Sequence, residues 1–213
     1  MSSVRRLHIN TGHPPNKELE RIVRLAGGSD LSQKVVQGIR CTTCRKAAPT
    51  KSPKPAKPRD NIGQFNDTLL GDIAYCKDAD GQTYGYLILV DEGTDWTVAK
   101  FVGIGKGTRT AAQLFDDLEV AWIDWAGPPD VFVADGERGF SAEEFVIKAG
   151  RAGVFYDPSA AYAPWQKGKV ERKIETFKSI VRKTVIHSGI RGPAEMRMTG
   201  VEAASAINQR PNS

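Results

Sequence analysis

A short apolar run, Val131-Phe-Val-Ala134, ends at Asp135, and 35 residues lie between that aspartate and Glu171 at the head of a long amphipathic stretch. The run reads as a strand, which puts Asp135 just past a strand's carboxyl end, where acidic groups of α/β proteins converge on ligands. From Glu171 onward, Val170, Ile174, Phe177 and Val181 recur at helical spacing, with Arg172, Lys173, Lys178, Arg182 and Lys183 on the other faces. A strand-end aspartate and a helical glutamate can share a divalent ion if a third carboxylate joins them. The best third group is Asp72 in Leu69-Leu-Gly-Asp72-Ile-Ala-Tyr75, a strand expected to pair with Thr83-Tyr-Gly-Tyr-Leu-Ile-Leu-Val90 across the turn Lys77-Asp-Ala-Asp-Gly81. Three carboxylates offer hard oxygen ligands suited to Mg²⁺ or Mn²⁺. Asp91 and Asp95 are rivals for the first position because both follow an apolar strand, and Glu175, one turn beyond Glu171, is the rival for the third.

The rest of the core follows the same reading. Strands are expected over 69–75, 83–91 and 96–103, then a helix over 110–126 with Ala112, Phe115, Leu118 and Trp122 along one side. Next come a strand over 130–134, a helix over 142–152 with Ser141 as its cap and Glu144 at capping-box spacing, and a short strand over 153–156. A loop over 157–168, a long helix over 169–188 and a final helix within 193–208 complete the chain. Three meandering strands followed by alternating helices and strands is the order of an RNase H-like α/β fold, a mixed sheet flanked by helices, although other α/β sheets share it.

The first 47 residues have a different character. Residues 17–25 read as a helix stopped by Gly27 and Gly28, and Ser29 or Asp30 can cap a second short helix through Val36. So small a module buries too little to hold itself together and calls for a metal staple. Four residues separate His8 from His13, 27 more precede Cys41, and Cys44 follows after two. Two imidazoles and two thiolates are the ligand set that tetrahedral Zn²⁺ prefers. His187 reads as a solvent-facing residue, and Cys76 as a buried free thiol. Between the two regions, Pro49, Pro53, Pro55 and Pro58 alternate with Lys46, Lys51, Lys54, Lys57 and Arg59, a basic, semi-extended linker. The domain reading is therefore a zinc module over 1–47, a linker over 48–66 and a catalytic core over 67–213.

Charge is distributed in blocks. Residues 1–60 carry 13 Lys and Arg against 4 Asp and Glu, residues 61–164 carry 7 against 17, and residues 165–213 carry 10 against 4. An acidic middle between basic ends suits carboxylates that bind metal and flanks that hold a polyanion. No apolar run approaches the roughly 20 residues that span a bilayer, and the start lacks a signal-peptide core, so a soluble intracellular protein without a membrane partner is expected.

Asp72, Asp135 and Glu171 resemble the D, D-35-E triad of retroviral and LTR-retrotransposon integrases, and Tyr162-Ala-Pro-Trp-Gln-Lys-Gly-Lys-Val-Glu171 is similar to the loop leading into their glutamate helix. His8, His13, Cys41 and Cys44 look like the family's zinc module, and Leu7-His-Ile-Asn-Thr-Gly-His-Pro14 resembles its copia-like version. The resemblance implies a metal-dependent polynucleotidyl transferase using two Mg²⁺ or Mn²⁺ ions, with structural Zn²⁺, that processes the 3′ ends of element DNA and joins them to target DNA. It also implies action as a homo-oligomer on DNA, in the nucleus, with no small-molecule substrate. Gln166, Lys167, Lys169, Lys173 and Lys178 become candidate DNA contacts, with Trp165 beside them. The alternatives are a decayed or domesticated copy that binds DNA or chromatin without catalysis, and an RNase H-type nuclease. One departure stands out: the family's second motif commonly reads Asp-Asn/Gly-Gly-x-Glu/Gly-Phe, whereas Asp135-Gly-Glu-Arg-Gly-Phe140 places the charges of Glu137 and Arg138 there. The final residues, 207–213, resemble a family segment that normally continues, which suggests a piece of a longer polyprotein.

Overall fold

A computed structural model describes residues 3–47, 63–107, 109–134, 139–158 and 164–210, giving only the backbone of residues 164–167. Its centre is a five-stranded mixed sheet in the order β3-β2-β1-β4-β5. Strands β1 (Thr68–Lys77), β2 (Thr83–Asp91) and β3 (Thr97–Ile104) form an antiparallel meander, and β4 (Val131–Ala134) and β5 (Phe155–Asp157) add parallel to β1. The first hairpin closes because the Asp78 carboxylate accepts from the amides of Asp80 at 3.0 Å and Gln82 at 2.9 Å, an Asx turn finished by Gly81 at φ 85°.

Side chains alternate across the sheet and build two apolar layers. Leu70, Ala74, Tyr86, Ile88, Val90 and Val133 face α8 (Pro164–Ser188) and α9 (Gly192–Asn208). Leu69, Ile73, Leu87, Leu89, Phe132 and Ala134 face α5 (Ala111–Leu118) and α7 (Glu143–Arg151). Helix α8 lies on the sheet through Val170, Ile174, Phe177, Val181 and Val185, all buried at helical spacing. Ahead of the core, α1 (Ser3–Asn10), α2 (Asn16–Leu25), α3 (Asp30–Gln37) and α4 (Thr42–Lys46) form the N-terminal module, whose own apolar centre is only Leu19, Val23 and Val36. Ser29 caps α3, its hydroxyl accepting from the amide of Ser32. Core contacts begin in the segment before β1: Asn66 accepts from the Trp122 indole at 2.7 Å and donates its own amide N–H to Asp91.

The expected α/β architecture is present, and four local expectations are corrected. The helix expected over 110–126 divides into α5, a π-helical turn over Glu119–Ile123 and a short α6 (Asp124–Ala126), and its buried stripe is Ala111, Leu114, Phe115 and Leu118, with Ala112 half-buried. The capping box falls on Thr110 and Gln113. Ser141 caps nothing; Ala142 stands at the N-cap of α7 without a side-chain bond, because Phe140 and Phe145, both fully buried with rings 5.3 Å apart, fix where the helix begins. Helix α8 starts at Pro164, inside the expected loop, since proline's missing N–H and fixed φ cost nothing in a first turn. The module gains α1 and α4, too short for periodicity to reveal.

Tyr86 shows how closely α9 approaches the sheet. Its hydroxyl donates to the Met196 carbonyl at 2.7 Å, and a Cβ on Gly200 would lie 2.4 Å from its ring. Alanine is normally favoured over glycine inside a helix by about 1 kcal/mol. Here Gly200→Ala is expected to destabilise by about 1–3 kcal/mol through overpacking, read as a lower urea midpoint at unchanged slope; a variant as stable as the parent contradicts this contact.

Candidate metal centres

The four residues singled out in the N-terminal module come together. His8 Nε2 and His13 Nδ1 are 3.2 Å apart, Cys41 Sγ lies 3.4 Å from His13 Nδ1, and Cys44 Sγ lies 3.3 Å from His8 Nε2 and 3.7 Å from His13 Nδ1. All four donor atoms fall within 4.8 Å of one another. A tetrahedron with M–N bonds of about 2.05 Å and M–S bonds of about 2.3 Å has N···N and N···S edges of roughly 3.3 and 3.6 Å. The cluster has the edges of a tetrahedral metal site. Among the described residues, His8 Nδ1 is buried without a hydrogen-bond partner, while its Nε2 belongs to the cluster.

Helix α1 carries His8; Gly12 at φ 72° and His13 at φ 55° turn the chain back; Cys41 and Cys44 flank the first turn of α4. Burial holds the His13 imidazole down at about 4, reinforced by His8, Lys183 and His187, and burial also lowers His8, with Lys183 and Arg5 adding to it. Both rings are therefore neutral near pH 7, the state that ligates metal. Burial pushes the Cys44 thiol up to about 11, whereas at Cys41 the upward push of burial is outweighed by hydrogen bonds from Cys44 and Thr43, which lower it. His187 is exposed, as expected, with its ring centroid 5.8 Å from that of His13.

This loop also meets the core. Lys183 Nζ on α8 donates to the His13 carbonyl at 3.1 Å, and Arg210 donates to the carbonyls of Thr11 at 3.3 Å and Gly12 at 3.1 Å while its Nε lies 3.5 Å from Glu18. A Cβ on Gly12 would stand 3.0 Å from Ile180 and 3.1 Å from Ala206. Nothing in the sequence distinguished Lys183 or Arg210 from their surface-type neighbours.

Among the acidic candidates, Asp72 occupies the middle of β1 opposite Ile88, on the same sheet face as Leu70 and Ala74, and one carboxylate oxygen accepts from the Ile73 amide at 2.7 Å. Gly71, its neighbour, pairs with Ala134, the last residue of β4. Glu171 is exposed on α8, directly after Val170, which packs on that face. Asp135, Glu137 and Arg138 lie outside the described residues, as do the side chains of Trp165, Gln166 and Lys167 and the proline- and lysine-bearing stretch over 48–62. Both rivals of Asp72 have other work. Asp91 is fully buried and accepts from the amide of Asn66 and from the amide and hydroxyl of Thr94. Asp95 Oδ1 lies 2.7 Å from Lys169 and Oδ2 3.4 Å from Lys173. Burial pushes the Asp95 carboxyl up, but the two ammonium groups outweigh it and hold it below the usual range. Lys169 and Lys173, expected among the DNA contacts, thus pair with an aspartate while staying partly exposed; Lys178 is also partly exposed, 4.0 Å from Glu175.

No protein-family model and no curated protein matches the sequence. Solved structures do match in fold. A chain of the simian T-cell lymphotropic virus intasome aligns with a TM-score of 0.56 at 21% identity, covering 93% of this chain and 67% of its own, a share that includes part of the N-terminal helices. The HTLV-2 integrase catalytic core domain, solved in complex with magnesium, aligns at 0.52 and 15% identity over 66% of this chain and 86% of its own. The BIV integrase catalytic core aligns at 0.54 and 13% over 70% and 87%. The chain has the fold of retroviral integrase catalytic cores, with a His₂Cys₂ cluster ahead of it that could hold a metal ion.

The lowered histidine pKa values set a pH window. Below 6.5 the unfolded chain binds protons that the folded module refuses, so the module's stability is retained above 6.5 and lost as pH falls toward about 4. Metal-ligand competition acts in the same direction. Chelation at pH 7, or acidification across that window, is expected to melt the helices of residues 3–47 while the sheet persists, followed by far-UV circular dichroism and amide NMR; helices that survive chelation overturn the metal-staple reading.

Proposed function

We propose that this chain is an integrase of the retroviral and LTR-retrotransposon type, a metal-dependent polynucleotidyl transferase with a zinc-bound N-terminal module. The observation that supports the reading lies within an integrase-type sheet: Asp72 sits mid-strand on the face covered by α8, next to Gly71, which pairs with the last residue of β4, and Glu171 directly follows Val170, which α8 packs on that face. Asp72, Asp135 and Glu171 are the residues that hold Mg²⁺ or Mn²⁺, in keeping with the hard oxygen donors such ions require. When bound, paired divalent ions neutralise charge on a phosphodiester and lower the pKa of the attacking hydroxyl or water.

The chain's own groups bind and orient. The carboxylates act as holders of charge and need no proton transfer of their own. The strand backbone of β1, hydrogen-bonded on both sides, fixes the position of Asp72. Lys178 and the α8 residues Gln166 and Lys167 are the remaining candidates for the DNA end, and Zn²⁺ is the ion that the His₂Cys₂ set fits. The domain division at 1–47, 48–66 and 67–213, assembly as a homo-oligomer on DNA and action in the nucleus belong to the same proposal.

Asp72→Asn, Asp135→Asn and Glu171→Gln are each expected to reduce joining of a donor duplex to plasmid target to the metal-free level, with DNA binding and thermal melting kept. The parent protein distinguishes the alternatives in the same assay. Joined products support the integrase; DNA bound but uncut indicates a binding protein; cleavage of RNA in a hybrid indicates an RNase H-type nuclease. An Asp72→Asn protein that still joins DNA excludes Asp72 from this role.

A further inference from the structure

The turn between β2 and β3 is built around an aspartate in an unfavourable backbone conformation. Asp95 sits at φ 65°, a left-handed region that L-residues other than Gly, Asn and Asp rarely enter. It is held there from behind: its amide donates to the Asp91 carbonyl at 3.0 Å, and the fully buried Asp91 carboxylate binds the Thr94 amide at 2.7 Å and hydroxyl at 2.6 Å. The side chain so presented divides its two oxygens between Lys169 and Lys173, and Lys169 also donates to the Glu92 carbonyl. Lys169 and Lys173 are one turn apart on α8 and straddle Glu171 in sequence.

Helical geometry gives this grip a mechanical meaning. At 100° per residue, Lys169 and Lys173 line one flank of the buried Val170–Ile174–Phe177 stripe, and Glu171 leaves from the opposite flank. The apolar stripe alone resists lifting of the helix better than rolling of it. A roll of about 20° would carry a carboxylate at the helix's outer radius of roughly 5–6 Å through about 2 Å. Displacements of about 1 Å at a reacting centre already cost on the order of 100-fold.

From this arrangement, and resting on the integrase reading above, we infer that Asp95 is a positioning residue: through Lys169 and Lys173 it fixes the roll of α8 and so aims the Glu171 carboxylate at the divalent-metal site. The two lysines then serve first to hold α8 against the β2–β3 turn.

The test uses the zinc-loaded full chain and Asp95→Asn, which removes the charge yet tolerates the left-handed turn. Two readouts are taken: amide hydrogen exchange over residues 168–175, and Tb³⁺ luminescence titration, counting only the component that Asp72→Asn abolishes. Faster exchange in α8 and roughly tenfold weaker Tb³⁺ binding, at unchanged melting temperature and zinc content, are expected, as is the same pair of changes in Lys169→Met/Lys173→Met. Unchanged exchange, or unchanged Tb³⁺ affinity, overturns the inference. So does a loss in both variants that only tracks a lowered melting temperature. If the parent shows no Asp72-dependent Tb³⁺ component, the metal-site reading itself fails, and the exchange data alone decide whether Asp95 anchors the helix.

Discussion

Everything of consequence in this molecule is referred to the apolar seam between α8 and the sheet. Val170, Ile174, Phe177, Val181 and Val185 are all less than 9% exposed, and each such side chain buried contributes on the order of 1.5–3 kcal/mol. That seam uses only one stripe of a 25-residue helix. The remaining faces are free to carry other contacts, and the helix uses them in sequence along its length: Lys169 and Lys173 toward the β2–β3 turn, and Ile180 and Lys183 toward the histidine loop, while Glu171 stays exposed. One packed seam thereby sets the relative placement of parts that are far apart in the chain.

The N-terminal module depends on that helix for want of a core of its own. Its buried apolar centre is Leu19, Val23 and Val36, with only Val4, Leu7 and Ile39 packed partly against it, far less than is needed to order a module of this length. A metal bound by His8, His13, Cys41 and Cys44 would add to this, because ligand binding absent from the unfolded chain is folding free energy. The docking of the Thr11–His13 loop against Ile180, Ala206, Lys183 and Arg210 adds contacts from outside the module. The pairing of Arg210 with Glu18 is a partly buried contact whose worth lies in orienting the loop more than in net stability.

How much of this could be read beforehand follows from the range of the forces involved. The strands were legible because alternation and apolar runs are local signals, and the observed β2, Thr83–Asp91, coincides with the expected span. The His and Cys set was legible because its chemistry is rare and its spacing short. By contrast, α1 and α4 have no periodicity long enough to register, and their existence follows from where the ligand atoms must meet. The π-helical turn before Asp124 and the failure of Ser141 to cap α7 come from long-range packing of Trp122, Phe140 and Phe145, to which a local rule is blind. Asp91 and Asp95 looked like ligands for the same reason that Asp72 did, an acid at an apolar strand; only their partners in space separate a turn-former, a helix anchor and a mid-strand carboxylate.

Those partners also change what the charge blocks mean. The basic excess at the C-terminal end suggests a phosphate-binding surface when counted as formal charge, but many of these side chains already have partners within the protein, some of them at the surface. Lys169 and Lys173 face Asp95, Lys183 holds a carbonyl of the histidine loop, Arg191 pairs with Asp80, Arg210 with Glu18, and Arg197 lies over the Phe101 ring at 5.3 Å. Each lysine or arginine so engaged would have to break a contact before it could displace a counterion from DNA, and binding strength depends on counterions released, about 0.9 per phosphate met. A charge count therefore overstates how much free positive charge this half of the chain presents.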